Sequence, residues 1–181
     1  MENIILTTIE HFGYLGILFL IAIENLFPPI PSELILAFSG FIAPTLKLNL
    51  LKIIIFSTMG SVIGAIILYY LGNKLADKLN ASKSIKFFEE KGIISILICR
   101  FIPILRSLIS IPAGIYKVKM FIFLTLTTIG SVIWNTVIIL TGNMLGSEWN
   151  KISEILSTYK YIIFSILGIF ILFKIIKRVK H

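Results

Sequence analysis

The chain has 181 residues, of which 57% are hydrophobic and 14% are charged, and its mean hydropathy is +0.98. Soluble domains are about 45–50% apolar, so this composition excludes an ordinary soluble domain and predicts an integral membrane protein. The net charge of +8 does not indicate a nucleic-acid partner, because the basic residues flank apolar segments, as is typical of membrane topology signals. The length predicts one membrane domain over residues 1–181.

The first apolar region, residues 12–43, is interrupted at its centre by the sequence ENLFPPIPSE. Its helix-breaking residues are Pro28, Pro29 and Pro31. Glu24 and Glu33 place two carboxylates in the same interruption. Each arm of the region has about 10–16 residues and would extend about 15–24 Å as a helix, which is short for a bilayer. We therefore expect a re-entrant hairpin rather than a single kinked helix.

Spans and interruptions alternate along the rest of the chain. The continuous apolar segments that predict transmembrane helices are residues 50–71, 120–145 and 161–176. The last of these is extended by flanking tyrosines and a basic tail, which predicts a C-terminal transmembrane helix at about 159–178. The connector 73–92 is either an amphipathic helix at the membrane surface or a solvated linker. A second broken region, 93–116, carries RFIPILRS with Pro103 at its break and predicts a second hairpin.

The distribution of basic residues favours the hairpins. If both broken regions are re-entrant, the basic residues outside them divide eleven to four between the two faces of the membrane. If both regions cross, the division is seven to eight. Because basic residues concentrate on the cytoplasmic side of inner-membrane proteins, the first arrangement is favoured. We expect a multi-pass protein of the bacterial cytoplasmic (inner) membrane, with the connector and the C-terminus cytoplasmic and the N-terminus outside.

An internal repeat relates two of the predicted spans. STMGSVIGAIILYYLGNKL at 57–75 and TTIGSVIWNTVIILTGNML at 127–145 share eight of nineteen residues at an offset of 70. Each repeat, about 12–75 and 93–146, is a hairpin followed by a span, so the second must enter from the opposite face, as in inverted-repeat transporters. Helix packing alone explains the individual glycines of the motif. The predicted fold is an all-α membrane protein with two opposed re-entrant helical hairpins in an inverted-topology repeat, plus three transmembrane helices.

The two interruptions carry opposite charges. The only ionisable side chains well inside the apolar regions are Glu24, Glu33, Arg100 and Arg106. A charge at the bilayer centre costs about 2.5–3.5 kcal/mol on insertion scales, so it needs a partner or a wet cavity. Arg100 and Arg106 suit a phosphate, through bidentate hydrogen bonds, and Glu24 and Glu33 suit proton exchange. The alternative is that the four residues only form structural salt bridges. Further candidates for the cavity lining are Ser32, Ser107, Gly40, Gly114, Trp134 and Asn135.

These motifs resemble the DedA family of bacterial membrane proteins, also called the VTT or SNARE-associated domain family. The resemblance rests on ENLFPPIPSE at 24–33, SGF at 39–41, RFIPILRSLISIPAG at 100–114, and GSVIW and GNMLG at 130–134 and 142–146. It implies two opposed re-entrant hairpins and the movement of undecaprenyl phosphate or phosphatidylethanolamine between leaflets, dependent on the proton motive force. By position, Glu24, Glu33, Arg100 and Arg106 match the essential acids and arginines of the family. The spacing between the two acids is shorter than in some members.

Two other functions are compatible with parts of the sequence. PILRS at 103–107 loosely resembles the Pro-x-x-x-Arg-Ser motif of undecaprenyl-pyrophosphate phosphatases, but no catalytic acid–base set accompanies it. A small-ion or proton exchanger would also use buried charges. We predict a transporter and not an enzyme, with a membrane lipid and protons as partners. No cofactor or metal site is predicted, because the chain has no Cys/His cluster. The sequence predicts no oligomeric state.

Overall fold

The protein is described by a computed structural model for residues 2–27, 32–76, 82–103 and 105–144, and this part of the chain consists of helices joined by short turns. Its helices are α1 (Glu2–Leu26), α2 (Ser32–Ile42), α3 (Leu50–Leu75), α4 (Ser82–Lys91), α5 (Ser95–Cys99), α6 (Leu105–Leu108), α7 (Ser110–Ile115) and α8 (Met120–Met144). The predicted all-α membrane class is confirmed. The described residues do not include Pro28, Pro29, Pro31 or the predicted C-terminal span.

Three helices are long and apolar enough to cross a membrane: Asn3–Leu26, Leu50–Leu75 and Met120–Met144. The last two, α3 and α8, correspond to the spans that the sequence predicts after each broken region. Their starts are defined locally. Asn49 caps α3, because its side-chain oxygen accepts hydrogen bonds from the backbone N–H groups of Leu51 and Lys52 at 2.9 and 3.3 Å. Helix α8 follows a tight turn at Lys117, whose φ is +57°.

The first helix differs from the prediction, because α1 begins at Glu2, ten residues before the expected arm. Ile5 and Ile9 form a buried i, i+4 pair on this part of α1. The polar residues around them among 2–11 hide this helical pattern in the sequence. By length and composition, Asn3–Leu26 taken as a whole could cross a membrane. However, α1 is not straight. Gly13 has φ +56° and ψ −130°, a conformation that is essentially restricted to glycine.

The bend at Gly13 folds the two halves of α1 against each other. A Cβ atom added to Gly16 would lie 2.6 Å from the carbonyl oxygen of Thr8, eight residues earlier. In a straight helix, eight residues rise about 12 Å, so this contact requires a sharp turn. The half that follows the bend, residues 14–26, has the arm length that the sequence predicts.

That second half of α1 runs alongside the first half of α3. At the start of α3, the backbone N–H of Asn49 donates to the Tyr14 hydroxyl at 2.8 Å. Further along, Gly64 of α3 lies against the side chain of Asn25. Because Gly64 is near the middle of the 26-residue α3, the end of α1 lies level with the middle of a span.

The second broken region has the same relation to α8. Gly130 lies against Arg100, with an added Cβ 2.8 Å from the Arg100 Cβ atom. The rings of Phe101 and Trp134 are 6.5 Å apart and edge-on. Gly130 and Trp134 are near the middle of the 25-residue α8, so the break after α5 also lies level with the middle of a span.

The helices that follow the two breaks pack crosswise on the long helices, α2 on α8 and α7 on α3. In one crossing, Gly40 of α2 and Gly142 of α8 each face the backbone of the opposite helix, at Ile139 and Ala37 respectively. In the other crossing, Gly114 of α7 faces Tyr69 of α3, and Gly72 of α3 faces Ile111 of α7. A side chain at any of the four glycines would collide with main chain. The close approach of backbones therefore requires small residues here.

The repeat extends into the turns before the spans. Lys47 and Lys117, 70 positions apart, both have positive φ, at +53° and +57°. The same hydrogen bonds close both turns: Leu48 N to Ala43 O at 2.8 Å, and Val118 N to Ala113 O at 3.1 Å. The crossing glycines Gly40 and Gly114 are 74 positions apart, whereas the two turns are 70 positions apart. The first crossing therefore lies four residues, or about one helical turn, further from its turn than the second crossing does.

The connector contains the helix α4. Phe88 is buried and stacks on Tyr116, with ring centroids 5.0 Å apart. On the exposed side, Lys86 and Glu90 form an ion pair at 3.8 Å. Helix α4 therefore packs one aromatic face against the end of α7.

Candidate functional site

A buried ion pair joins the two broken regions. Arg106 Nη2 lies 2.8 Å from Glu24 Oε2, and the two side chains are 5% and 6% exposed. Glu24 is in the last turn of α1, and Arg106 is in the short helix α6. The contact therefore links residues 82 positions apart at the level of the middle of the spans. Two of the four predicted site residues are brought together directly.

The start of α2 completes the acidic side of the site. Ser32 is buried, and its side chain hydrogen-bonds to the Glu24 carboxylate. Glu33 is half-buried, and it is close enough for its charge to act on Glu24. The structure gives Glu33 no ion pair with another described residue. The two acids therefore differ: Glu24 is paired and buried, whereas Glu33 is partly open. Ser107, next to Arg106, is also buried.

Arg100 is held by hydroxyl groups instead of a carboxylate. It is 2% exposed, and its Nη2 atom donates to Ser110 Oγ at 3.2 Å and to Thr127 Oγ1 at 3.1 Å. Within the described ranges, no carboxylate lies at ion-pair distance from Arg100. Its Nε atom is buried and has no hydrogen-bond partner among these residues. The stem of the side chain lies on Gly130, which leaves room for it on α8.

The two arginines therefore have different electrostatic surroundings. The Arg106 charge is neutralised by Glu24 at contact distance, whereas the hydrogen-bond partners of Arg100, Ser110 and Thr127, are uncharged. The charges are close enough that both Arg106 and Glu24 act on Arg100. A buried cation without a counter-ion is costly in a membrane protein and strongly attracts an anion. Of the two arginines, Arg100 is therefore the one without a counter-ion at contact distance among the described residues.

Asn135 lies at the crossing of the two spans and is fully buried. Its Nδ2 atom is 3.3–3.5 Å from three hydroxyl oxygens of α3, belonging to Ser57, Thr58 and Ser61. Its Oδ1 atom has no partner among the described residues. Asn135 was predicted as a lining residue of the site, and the structure instead places it in a polar contact between α8 and α3.

The other predicted lining and hairpin-break residues are dispersed. Gly40 and Gly114 face main chain at the two helix crossings, and not the charged side chains. Pro103 lies in an exposed turn between α5 and α6, where it interrupts the helix as the sequence predicts. Trp134 is half-buried beside Phe101.

The hydroxyl groups that surround Arg100 are not evident from the sequence. Ser110 and Thr127 were not predicted, although a signal for one of them was present. Ser57 and Ser61 recur 70 positions later as Thr127 and Ser131, so each span carries a hydroxyl pair one turn apart in an otherwise apolar helix. Buried polar side chains need partners, and such a pair indicates that a polar group packs against it.

Metal ligands do not cluster in the part of the chain that the structure describes: no group of three His, Cys, Asp or Glu side chains is placed to hold an ion. His11 is exposed, and its ring nitrogen is 2.8 Å from the carbonyl oxygen of Thr7.

Comparison with known proteins places the chain in a family. The model of the VTT domain matches residues 30–144. An alkaline phosphatase-like protein of Lactococcus lactis strain IL1403 is 44% identical, with 99% of this chain and 92% of the relative covered. Undecaprenyl phosphate transporter A of Staphylococcus aureus is 35% identical over 99% of this chain and 97% of the relative. Undecaprenyl phosphate transporter A of Bacillus subtilis is 31% identical over 86% of this chain and 83% of the relative. No solved structure matches. The chain belongs to the VTT-domain (DedA) family of membrane proteins.

Proposed function

We propose that this protein moves a phosphate-bearing lipid between the two leaflets of the bacterial cytoplasmic membrane, with Arg100 as the primary phosphate ligand. The observation that carries the proposal is the buried guanidinium of Arg100, which lies level with the middle of α8 and has hydroxyl partners but no described carboxylate partner. An anionic headgroup supplies the missing counter-charge at the depth where a translocated lipid must pass.

The ion pair between Arg106 and Glu24 couples the lipid to a proton. A phosphate that approaches Arg106 competes with the Glu24 carboxylate for the same guanidinium. Once displaced, Glu24 is a buried acid without a partner and takes up a proton. Glu33, which is half-buried and close to Glu24, exchanges that proton with the aqueous side. Translocation then depends on the proton motive force.

The membrane arrangement that we propose has two opposed re-entrant hairpins related by an inverted repeat. It is supported by the two breaks at mid-span level and by the reciprocal glycine crossings. The eleven-to-four division of basic residues supports a cytoplasmic C-terminus. Lys47 and Lys117, both exposed, follow the return arms of the two hairpins and therefore face opposite sides of the membrane.

Site-directed labelling tests this arrangement. In a Cys99→Ala background, Lys47→Cys should react with a membrane-impermeant thiol reagent from outside, and Lys117→Cys only after the cytoplasmic face is opened. Labelling of both from one side would contradict the inverted repeat.

The surroundings of the second break indicate that the phosphate arrives attached to a lipid. Apolar side chains next to Arg100 and Arg106 face outward, with exposures of 37–43%: Phe101, Ile102, Leu105 and Leu108. In a membrane this surface contacts acyl or prenyl chains. Undecaprenyl phosphate is the first candidate, because two relatives are named as its transporters, and phosphatidylethanolamine is the second.

A phosphatase acting on the same kind of lipid is the second candidate function. The name of the Lactococcus relatives, alkaline phosphatase-like protein, favours it. The two functions differ in their product, since a phosphatase releases inorganic phosphate and a transporter returns the lipid intact.

Reconstitution distinguishes the two. Proteoliposomes carrying fluorescent prenyl phosphate in one leaflet report leaflet exchange, and the same samples are assayed for inorganic phosphate. Arg100→Gln should slow exchange at least about tenfold, since a charged hydrogen bond contributes about 1.5–3 kcal/mol. Lys52→Gln, which removes a basic charge at the start of α3, serves as the matched control and should not slow exchange. Equal exchange by wild type and Arg100→Gln would overturn the role of Arg100. Phosphate release by wild type would favour the enzyme.

A further inference from the structure

Two buried hydrogen-bond donors in the described part of the chain have no acceptor. They are the Nε–H of Arg100 and the indole N–H of Trp134. Buried polar groups are almost always hydrogen-bonded, so each such group calls for an explanation. The other buried side-chain atoms without a partner are the amide oxygens of Asn25 and Asn135, which are acceptors.

The two donors belong to neighbouring parts of one surface. Gly130 and Trp134 are four residues apart on α8 and therefore lie on the same face of the helix. The stem of Arg100 packs on Gly130, and the ring of Phe101, the next residue in the chain, packs edge-on against Trp134. The segment Arg100–Phe101 thus lies along this face of α8, with Arg100 at Gly130 and Phe101 at Trp134, one turn further along.

The remaining hydrogen bonds of Arg100 orient its side chain. Ser110 Oγ and Thr127 Oγ1 both accept from Nη2, so the hydroxyls fix the guanidinium without neutralising it. Nε–H is left for another acceptor. A ligand that satisfies this donor and Trp134 must present oxygen atoms that accept hydrogen bonds, and the adjacent uncompensated charge favours an anion.

We propose that the indole N–H of Trp134 is a second phosphate ligand, which donates to the phosphate that Arg100 binds through Nε–H. The inference rests on the proposed function and adds a neutral donor to its site. An indole N–H donates and never accepts, and its hydrogen bond to an ionised phosphate oxygen is stronger than one to a neutral hydroxyl, so this contact favours a phosphate over a hydroxyl headgroup. The ring itself lies beside Phe101, on the apolar side of the site, where the lipid chain leaves the headgroup.

The test uses the full chain with Trp149→Phe, so that Trp134 is its single tryptophan. The indole N–H of the ¹⁵N-labelled protein in detergent is followed by NMR during titration with a short-chain prenyl monophosphate. The prenyl alcohol of the same length and inorganic phosphate are titrated in parallel. The monophosphate should move the indole proton resonance downfield, and the alcohol should not. A shift with inorganic phosphate as well would identify free phosphate as a ligand, whereas a shift with the monophosphate alone would identify a lipid headgroup.

Two variants separate the N–H from the ring. Trp134→Phe should weaken binding of the monophosphate about tenfold. Replacement of Trp134 by benzothienylalanine, which exchanges the N–H for sulfur and keeps the shape of the ring, should weaken it equally. Unchanged affinity in the second variant, or an identical shift with the alcohol, would overturn the role of Trp134. If Trp134 has no role, but the monophosphate binds to the wild type and Arg100→Gln abolishes binding, the proposed function still stands. If the wild type does not bind the monophosphate at all, both proposals fail.

Discussion

Replacing one member of the buried ion pair between Glu24 and Arg106 is expected to destabilise the protein more than replacing both. The side chains are 6% and 5% exposed and 2.8 Å apart, so Glu24→Leu alone leaves a buried guanidinium without its counter-ion. Breaking a buried pair in this way costs about 3–5 kcal/mol, whereas exchanging both members for apolar residues of similar size is often neutral. The double variant Glu24→Leu/Arg106→Met should therefore recover most of the loss.

The free energy of unfolding of wild type, the two single variants and the double variant, measured by denaturant titration in mixed micelles, gives the coupling energy. We expect a coupling energy of about 3 kcal/mol between Glu24 and Arg106. The exposed pair Lys86–Glu90 on α4 provides a matched control, with N and O atoms 3.8 Å apart and an expected coupling of about 0.3–0.5 kcal/mol. Additive effects of the two buried substitutions, within about 0.5 kcal/mol, would refute the pairing. The double variant should also lose the response of leaflet exchange to the proton motive force, because the acid that binds the proton is gone.

Three further outcomes follow from contacts outside the ion pair. Thr127→Val should slow leaflet exchange about tenfold by releasing the guanidinium that the hydroxyl orients. Thr141→Val, on the same helix, removes an exposed hydroxyl that donates to the carbonyl oxygen of Val137 one turn earlier, and it should leave exchange unchanged. Gly40→Ala and Gly114→Ala should each lower the free energy of unfolding by about 1–3 kcal/mol, because the added methyl group meets main chain at a helix crossing. Asn135→Ala should lower it by only about 0.6 kcal/mol, the average for hydrogen bonds between membrane helices, measured in the same titration.

The repeat and the charged residues were predictable from the sequence because both are local in the chain. Gly60 and Ser61 recur as Gly130 and Ser131 without a gap, so the register of the two spans could be read directly. The four charges stand out in an apolar background, and their cost in a bilayer requires them to find partners. The ion pair between Glu24 and Arg106 is one result of that requirement.

The choice of partners was not predictable. Glu24 and Glu33 are equivalent as residue types, and the structure pairs Arg106 with Glu24 in the last turn of α1. Several prolines separate the two acids in the sequence, so no helical periodicity indicates which acid faces an arginine. The extension of α1 to Glu2 was missed for a different reason: its buried positions, Ile5 and Ile9, alternate with polar residues that resemble a solvated terminus.

The hydroxyl partners of Arg100 also depend on tertiary structure. Ser110 is ten residues from Arg100, and Thr127 is twenty-seven residues away on another helix. Neither residue type indicates a ligand for a guanidinium unless the helix crossing is known. The tight fit of the Arg100 stem on Gly130 likewise follows from the approach of α5 to α8, since Gly130 read alone indicates only helix packing.

The central claim is that a lipid phosphate binds at Arg100, level with the middle of the spans. A density map of the protein with a bound prenyl monophosphate tests it most directly. We expect phosphate density about 2.7–3.2 Å from Arg100 Nε, with Ser110 and Thr127 still bonded to Nη2. Phosphate bound instead at the exposed basic residues that follow the hairpins, such as Lys117 and Lys119, with Nε of Arg100 left without an acceptor, would contradict the account.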